Sequence, residues 1–267
     1  MAWPWKGDSI QVFGCNGRPK VLVVRVWVSF DSLWHAFFSL VDALWEGVEI
    51  PPDCQVVFVR AHAPHFGKVD LGWRRALALY YKIVKGIEVW RSTPCDWWLF
   101  LDGDYFPTRR SGLQDVVNFL NSLPPDVNLV MRQIPLRCLN WEGIFYLGVG
   151  SSKRFLSSYY THHIPDSPLA CRSALLPMWD SLVLSFSEVF DRYASYEALR
   201  DAIFNSQIVE TEHIKIGSFP PSVICSVGLT GFVPLEEVIS SAALCGFMGP
   251  NIQPQVFSAL VAQLQKR

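Results

Sequence analysis

The tripeptide Asp102-Gly103-Asp104 is the part of this sequence best suited to chemistry. It places two carboxylates two residues apart, directly after the apolar run WWLFL at 97–101. Carboxylate oxygens are preferred ligands of Mg²⁺ and Mn²⁺, and such a cation can also bind a diphosphate and neutralise its charge as it leaves. Asp-Gly is also a common turn dipeptide. We interpret the tripeptide as a Mn²⁺ or Mg²⁺ site with Asp102 and Asp104 as ligands, in which the small Gly103 allows close approach of the loop.

Strand and helix patterns alternate along the chain around this tripeptide. The predicted strands lie at 21–30, 55–60, 97–101, 128–133, 144–147 and 207–216, and the predicted helices at 32–46, 71–84, 113–123, 178–193 and 196–205. Such alternation indicates parallel pairing with right-handed crossovers, and therefore a doubly wound α/β sheet. In these sheets ligands bind beyond the carboxyl ends of the strands, which is where the tripeptide is expected.

The same rule gives candidate contacts for a nucleotide that would share the site with the metal. The candidates on the first strand and at its end are Val24, Ser29, Phe30 and Asp31. Asp102 and Gly103 are expected to approach the diphosphate. Lys68 and Arg74 are candidate diphosphate partners, because phosphates need cations beyond the metal. The loop with His62 and His65 could contact the base or phosphates, or it could be an ordinary surface loop.

The segment WWLFLDGDYF at 97–106 resembles the D-x-D segment of glycosyltransferases with the GT-A fold. More narrowly, it is similar to the galactosyl-, xylosyl- and mannosyltransferase family of plants and fungi. Three later stretches resemble that family in the expected order: FYLGVG at 145–150, with Tyr146 in place of an Asn, LRDAI at 199–203, with Arg200 in place of a Gln, and HIKIG at 213–217. The resemblance covers roughly residues 20–220.

This resemblance implies a GT-A-like, Rossmann-like sandwich with a mostly parallel central sheet flanked by helices. It implies a metal-dependent hexosyl- or pentosyltransferase that moves a sugar from a UDP- or GDP-sugar to a hydroxyl of a carbohydrate or a protein-linked glycan. It also implies that His213 completes the metal site. Asp180 and Asp201 are candidate bases for the acceptor hydroxyl, which only an inverting enzyme needs.

The sequence also leads us to expect a division of the chain into two parts. Residues 1–220 are expected to form the catalytic domain, with a nucleotide half at about 18–110 and an acceptor half at about 111–220. Residues 221–267 are expected to be a helical extension packed on that domain.

Composition and charge exclude several other classes. The formal net charge of −1 lacks the basic footprint of a nucleic-acid binder. The apolar stretches are too short or too interrupted by charges to predict a membrane span, and the N-terminus lacks the pattern of a signal peptide. The seven cysteines are dispersed and form no C-x-x-C pair. We therefore expect reduced thiols and a cytoplasmic location.

Two alternatives use the same tripeptide or fold differently. A phosphatase of the haloacid dehalogenase type would use Asp102 as nucleophile and Asp104 as acid–base. However, that motif normally lies on the first strand, whereas two α/β units precede it here. The second alternative is a non-catalytic binding module on the same fold, for which an aromatic-rich surface would be suited.

Overall fold

A computed structural model of the chain describes residues 6–29, 32–62, 71–132, 167–180, 215–227 and 241–247, with five further positions between 258 and 266. The strands are β1 (Lys6–Gly14), β2 (Val21–Ser29), β3 (Cys54–His62), β4 (Trp97–Asp102), β5 (Phe106–Pro107), β6 (Val127–Arg132), β7 (Leu169–Arg172), β8 (Lys215–Phe219), β9 (Ile224–Val227) and β10 (Leu244–Phe247). The helices are α1 (Ser32–Ala43), α2 (Leu71–Ser92), α3 (Gly112–Ser122) and α4 (Leu176–Asp180), the last preceded by a 3-10 turn at Ser173–Leu175.

A seven-stranded central sheet has the order β1-β3-β2-β4-β7-β6-β8. The β2 strand is parallel to β3 and β4, and β6 is parallel to β8, whereas β1 and β7 run antiparallel to their neighbours. The carboxyl ends of β2, β3 and β4 therefore lie side by side at one end of the sheet. Because β7 is antiparallel to β4, the amino end of β7 lies at this same end of the sheet.

Helices cover both faces of the sheet, which confirms the predicted α/β class. Residues of β2 alternate between the faces. Val21 and Val23 belong to the core shared with α1 and α3. On the opposite face α2 packs on β4, where the rings of Trp90 and Trp98 are stacked with centroids 4.6 Å apart. Burial on both faces explains why β2 is almost continuously apolar in sequence.

Three features differ from the predicted organisation. The β1 strand was not expected, and it pairs with β3 at the edge of the central sheet. The β7 strand was not expected either, and it lies between β4 and β6 and runs antiparallel to both, where parallel pairing was predicted. The predicted helical extension at 221–267 instead contains β9 and β10, which join β5 in a second, three-stranded sheet. Four of the described positions after 247 are helical, at 258, 261, 262 and 265. Of the helices that the structure describes, none is long and apolar enough to cross a membrane.

Candidate functional site

The acidic loop, which we define as residues 102–104, lies at the end of the sheet where β2, β3 and β4 have their carboxyl ends. Asp102 is the last residue of β4 and pairs in register with Val26 of β2. Asp102 and Asp104 are partly buried, and Gly103 between them is buried. The loop therefore occupies the strand-end position that the sequence predicts.

Gly103 is required by the packing beneath the loop. A Cβ atom at this position would lie 2.1 Å from Cβ of Trp27 and 2.7 Å from Cε1 of Phe38, which is closer than side-chain atoms can approach. The close approach expected for Gly103 is therefore an approach to β2 and α1 of the protein itself. It allows the acidic loop to lie directly on the Trp27 side chain.

The Asp102 carboxylate is held by groups from its own loop and from α2. Its Oδ1 accepts a hydrogen bond of 2.7 Å from the backbone N–H of Gly103, and its Oδ2 forms an ion pair with Nζ of Lys82. The backbone N–H of Asp102 donates to Oγ of Ser167 over 2.8 Å. Both side chains of the ion pair are largely buried. A lysine ammonium therefore lies directly against one of the two candidate metal ligands.

A buried arginine contacts the acidic loop from the α1 side of the sheet. The side chain of Arg25 is fully buried, and its guanidinium donates hydrogen bonds to the carbonyl of Gly103 and to Oδ1 of Asp42 on α1. The other oxygen of Asp42 accepts a 2.6 Å hydrogen bond from Nε of Arg60 on β3. Burial lowers the pKa of the Arg25 guanidinium, and the charges of Asp42 and Asp104 oppose that shift.

A second polar cluster lies at the ends of β2 and β3. Oγ of Ser29 and Nδ1 of His62 are 2.6 Å apart, and the rings of His62 and His35 have centroids 5.9 Å apart. The His35 ring also meets the edge of Trp27, the residue beneath Gly103, at 5.7 Å. Ser29, a predicted contact, is fully buried, and His62 is the exposed member of this pair.

Two of the predicted site residues lie elsewhere. Val24 is fully buried within β2, in register with Val57 and Phe100, so it does not reach the strand ends. Asp180 forms a 2.8 Å ion pair with Arg91 near the end of α2. Arg91 follows Lys82 by nine residues, or roughly 13 Å of helix. The structure therefore brings neither Val24 nor Asp180 to the acidic loop.

Several predicted residues fall outside what the structure describes. These are Phe30, Asp31, Lys68, Asp201 and His213. Arg74 lies in the first turns of α2, but only its backbone is described. Their suggested roles stay predictions.

The donor set of the acidic loop fits a hard divalent cation. Among the described residues, no group of three or more His, Cys, Asp or Glu side chains could hold a metal ion. Two carboxylates are nevertheless enough for Mg²⁺ or Mn²⁺, because such ions commonly bind one or two protein carboxylates and take their other ligands from phosphate and water. The residues present are therefore compatible with a cation that shares its shell with a diphosphate.

Sequence reasoning missed the side chains that hold the loop, chiefly Arg25, Asp42 and Lys82. One signal was present. Arg25 is the single charged residue in the nine-residue run of β2, and a charge buried in such a run needs a partner. The identity of that partner depends on the packing of α1, which the sequence pattern does not specify.

The fold is similar to those of two glycosyltransferases. A glycosyltransferase involved in the glycosylation of the major capsid of PBCV-1 matches with a TM-score of 0.48 and 12% identity, over 90% of this chain and 98% of that chain. Mouse xyloside xylosyltransferase 1, in its apo form, matches with a TM-score of 0.41 and 8% identity, over 86% of this chain and 99% of that chain. No protein-family model and no curated protein matches the chain.

Proposed function

We propose that this protein is a metal-dependent glycosyltransferase that moves a sugar from a UDP- or GDP-sugar to an acceptor hydroxyl. The observation that carries the proposal is the position of the acidic loop. Two carboxylates lie at the carboxyl end of β4, next to its parallel neighbour β2, and Ser29 and His62 lie at the carboxyl ends of β2 and β3. Parallel α/β sheets bind nucleotides at such strand ends.

In this proposal Asp102 and Asp104 would hold Mn²⁺ or Mg²⁺, with His213 as the third protein ligand. When bound, the metal neutralises the diphosphate that leaves as the sugar–phosphate bond breaks. Lys82 brings a second positive charge to the same place, since its ammonium already contacts Asp102. Its N–H groups can donate to a phosphate oxygen of the donor. Lys68 and Arg74 are further candidates for that role.

The nucleoside end of the donor would lie along the ends of β2 and β3. The imidazole of the exposed His62 can exchange a hydrogen bond with ribose or base, while the buried Ser29 hydroxyl, 2.6 Å from its Nδ1, orients the ring. Phe30 and Asp31, which follow Ser29 directly, are proposed to extend this contact. Asp201 is kept as the candidate base at the acceptor hydroxyl, for the case of an inverting reaction.

The phosphatase alternative has less support. It requires the acidic motif to follow the first strand of the sheet, whereas β4 follows two other parallel strands, β2 and β3, along the chain.

Turnover of donor sugars tests the proposal directly. UDP- and GDP-sugars would be incubated with the protein, with and without Mn²⁺, and released UDP or GDP would be measured in the presence of simple glycoside acceptors. We expect Mn²⁺-dependent release from donors of one nucleotide class. Asp102→Asn should abolish it, whereas Asp115→Asn, which alters an exposed carboxylate paired with Arg109, should retain it. Release that is equal in both variants would contradict the proposed site.

A cytoplasmic location remains our prediction. It is supported by the free thiols of Cys54, Cys95 and Cys171, which are buried within the fold. Reduced, dispersed cysteines are typical of proteins in a reducing compartment.

A further inference from the structure

We infer that Arg25 is a positioning residue that sets the affinity of the acidic loop for its cation. This inference rests on the proposed function, because it assumes that Asp102 and Asp104 are the metal ligands. Arg25 itself contacts neither carboxylate of the loop through a described hydrogen bond. It acts through the backbone between them.

The contact of Arg25 with the loop is made at its central residue. The guanidinium donates to the carbonyl of Gly103, and the peptide groups on either side of Gly103 carry Asp102 and Asp104. Fixing this carbonyl therefore restricts the backbone rotations that aim both carboxylates. On the other side, the missing Cβ of Gly103 lets the loop lie against Trp27. The loop is thus held between a hydrogen bond and a packing contact.

The guanidinium is itself held in place by a charged network. Asp42 accepts hydrogen bonds from both Arg25 and Arg60, and Nη1 of Arg60 donates to Oε1 of Gln11 on β1 over 2.6 Å. The Arg25 side chain also packs against the ring of Phe58, with its guanidinium carbon 5.2 Å from the ring centroid. An arginine can reach Asp42 and Gly103 together because its planar fork carries several donors in fixed directions.

Structural stability alone does not explain this network. Buried ion pairs contribute little to stability relative to apolar residues of similar volume, because both charges must lose their hydration. The β2 strand around Arg25 consists mainly of valines, and replacement of a buried ion pair by apolar residues of similar volume is often neutral for stability. What an apolar residue could not supply is the hydrogen bond to Gly103. Residues that orient metal ligands from outside the ligand shell commonly change metal affinity about ten- to hundredfold when they are replaced.

Charge and geometry act in opposite directions at this site, and this difference makes the inference testable. The positive charge of Arg25 repels a bound cation, whereas its hydrogen bond orients the ligands that bind it. Arg25→Lys keeps the charge but replaces the fork with a single ammonium. If orientation dominates, this variant should bind the cation less tightly. If only charge mattered, it should bind like the wild type.

The experiment is a titration of the full chain with Mn²⁺, in which free Mn²⁺ is measured by electron paramagnetic resonance, with and without UDP or GDP. Arg25→Lys should weaken Mn²⁺ binding by about tenfold or more. The matched control is Arg172→Lys. Arg172 also donates to a backbone carbonyl, that of Val127, but it lies beside Trp97 at the start of β4, away from the acidic loop. The Mn²⁺ affinity of this control should stay within about twofold of that of the wild type. Thermal unfolding of each variant shows whether it is folded.

Unchanged Mn²⁺ affinity in folded Arg25→Lys would overturn the inference. If that variant does not fold, Arg25→Gln replaces it. This change also removes the guanidinium fork, and the loss of a positive charge would by itself strengthen cation binding. A several-fold loss of Mn²⁺ affinity therefore supports the inference, and no loss overturns it. A wild-type protein that binds no Mn²⁺ under any of these conditions would overturn the proposed function and, with it, this inference. A failure of the inference alone is recognised by normal Mn²⁺ binding in all variants.

Discussion

The acidic loop has no space for a side chain at its centre. In Gly103→Ala the new Cβ would overlap Cβ of Trp27, and neither atom can move without moving β2 or the loop. We expect the free energy of unfolding to fall by about 1–3 kcal/mol, as in other overpacked sites, and Mn²⁺ binding to weaken because the carboxylates are displaced. Urea unfolding and a Mn²⁺ titration measure these two effects.

The matched control is Gly17→Ala. A Cβ at Gly17 has nothing within 4 Å, so its unfolding midpoint should equal that of the wild type. Equal stability of Gly103→Ala and Gly17→Ala would show that the loop does not rest on Trp27 as described.

At the level of single residues, local pattern predicted the loop but not its partners. The Asp102-Gly103-Asp104 spacing after an apolar strand is visible in the sequence, and so is the need for a small central residue. Arg25 and Asp42 are 17 residues apart, and Lys82 and Asp102 are 20 residues apart. These contacts depend on how α1 and α2 pack on the sheet, and a local pattern contains no information on that packing.

Helix α2 is the element that brings a positive charge to the site. Lys82 and Gly86 lie one turn apart on the same face of the helix. A Cβ at Gly86 would be 2.9 Å from ring atoms of Trp98 and Phe100, so the glycine allows the helix to lie close to β4. This close packing directs the Lys82 ammonium to Asp102 at the end of the strand.

This arrangement makes Lys82 a competitor of the metal at Asp102. In Lys82→Gln the ammonium no longer competes with the cation for Oδ2, and Mn²⁺ affinity in the absence of nucleotide should rise by about fivefold, equivalent to about 1 kcal/mol. Binding of the nucleoside diphosphate at saturating Mn²⁺ should weaken, because a phosphate partner is lost. Titrations with Mn²⁺ and with nucleotide measure the two affinities separately.

Lys85→Gln provides the control on the same helix, since Lys85 is paired with Glu88, which lies on the exposed surface. The affinities of Lys85→Gln for Mn²⁺ and for the nucleoside diphosphate should match those of the wild type. If Lys82→Gln also leaves both affinities unchanged, the contact with Asp102 has no part in ligand binding.

Buried strands were predicted more accurately than exposed or short ones. The buried strands β2 and β4 have long apolar runs and were predicted nearly at their observed bounds. The α2 helix was predicted to end at 84 but continues to Ser92. The β1 strand was missed because it lies at the edge of the sheet, where Ile10 and Val12 are exposed and the pattern is irregular. The short β9 and β10 strands pair with each other, and β10 also pairs with β5, which is more than 130 residues away in the sequence.

The protein buries the thiols of Cys54, Cys95 and Cys171 in its interior. Burial raises the pKa of Cys54 to about 12 and that of Cys95 to about 11, above the ordinary value of 9.0. Above pH 9 these thiols lose their protons in the unfolded chain before they do so in the native protein. The free energy of unfolding should therefore fall as the pH rises from about 9 towards 11, by about 1.4 kcal/mol per pH unit for each thiol.

The contribution of one thiol can be isolated with Cys54→Ala. The cavity left by this change lowers stability by the same amount at each pH, whereas the slope of stability against pH should decrease by the share of one thiol. Urea unfolding at several pH values between 8 and 11 measures the slope in both proteins. Identical slopes would contradict the burial of the Cys54 thiol.

The central claim is that the acidic loop binds a nucleoside diphosphate through a divalent cation. The most direct test is thermal unfolding with UDP or GDP, each with and without Mn²⁺, in the wild type, Asp102→Asn, Asp104→Asn and the control Asp115→Asn. A ligand that binds only the native protein stabilises it by about 2.7 kcal/mol at a hundred times its dissociation constant. We expect one nucleotide to raise the midpoint only with Mn²⁺, in the wild type and in Asp115→Asn alone. A midpoint that no nucleotide raises, or that rises equally in Asp102→Asn, would contradict the account.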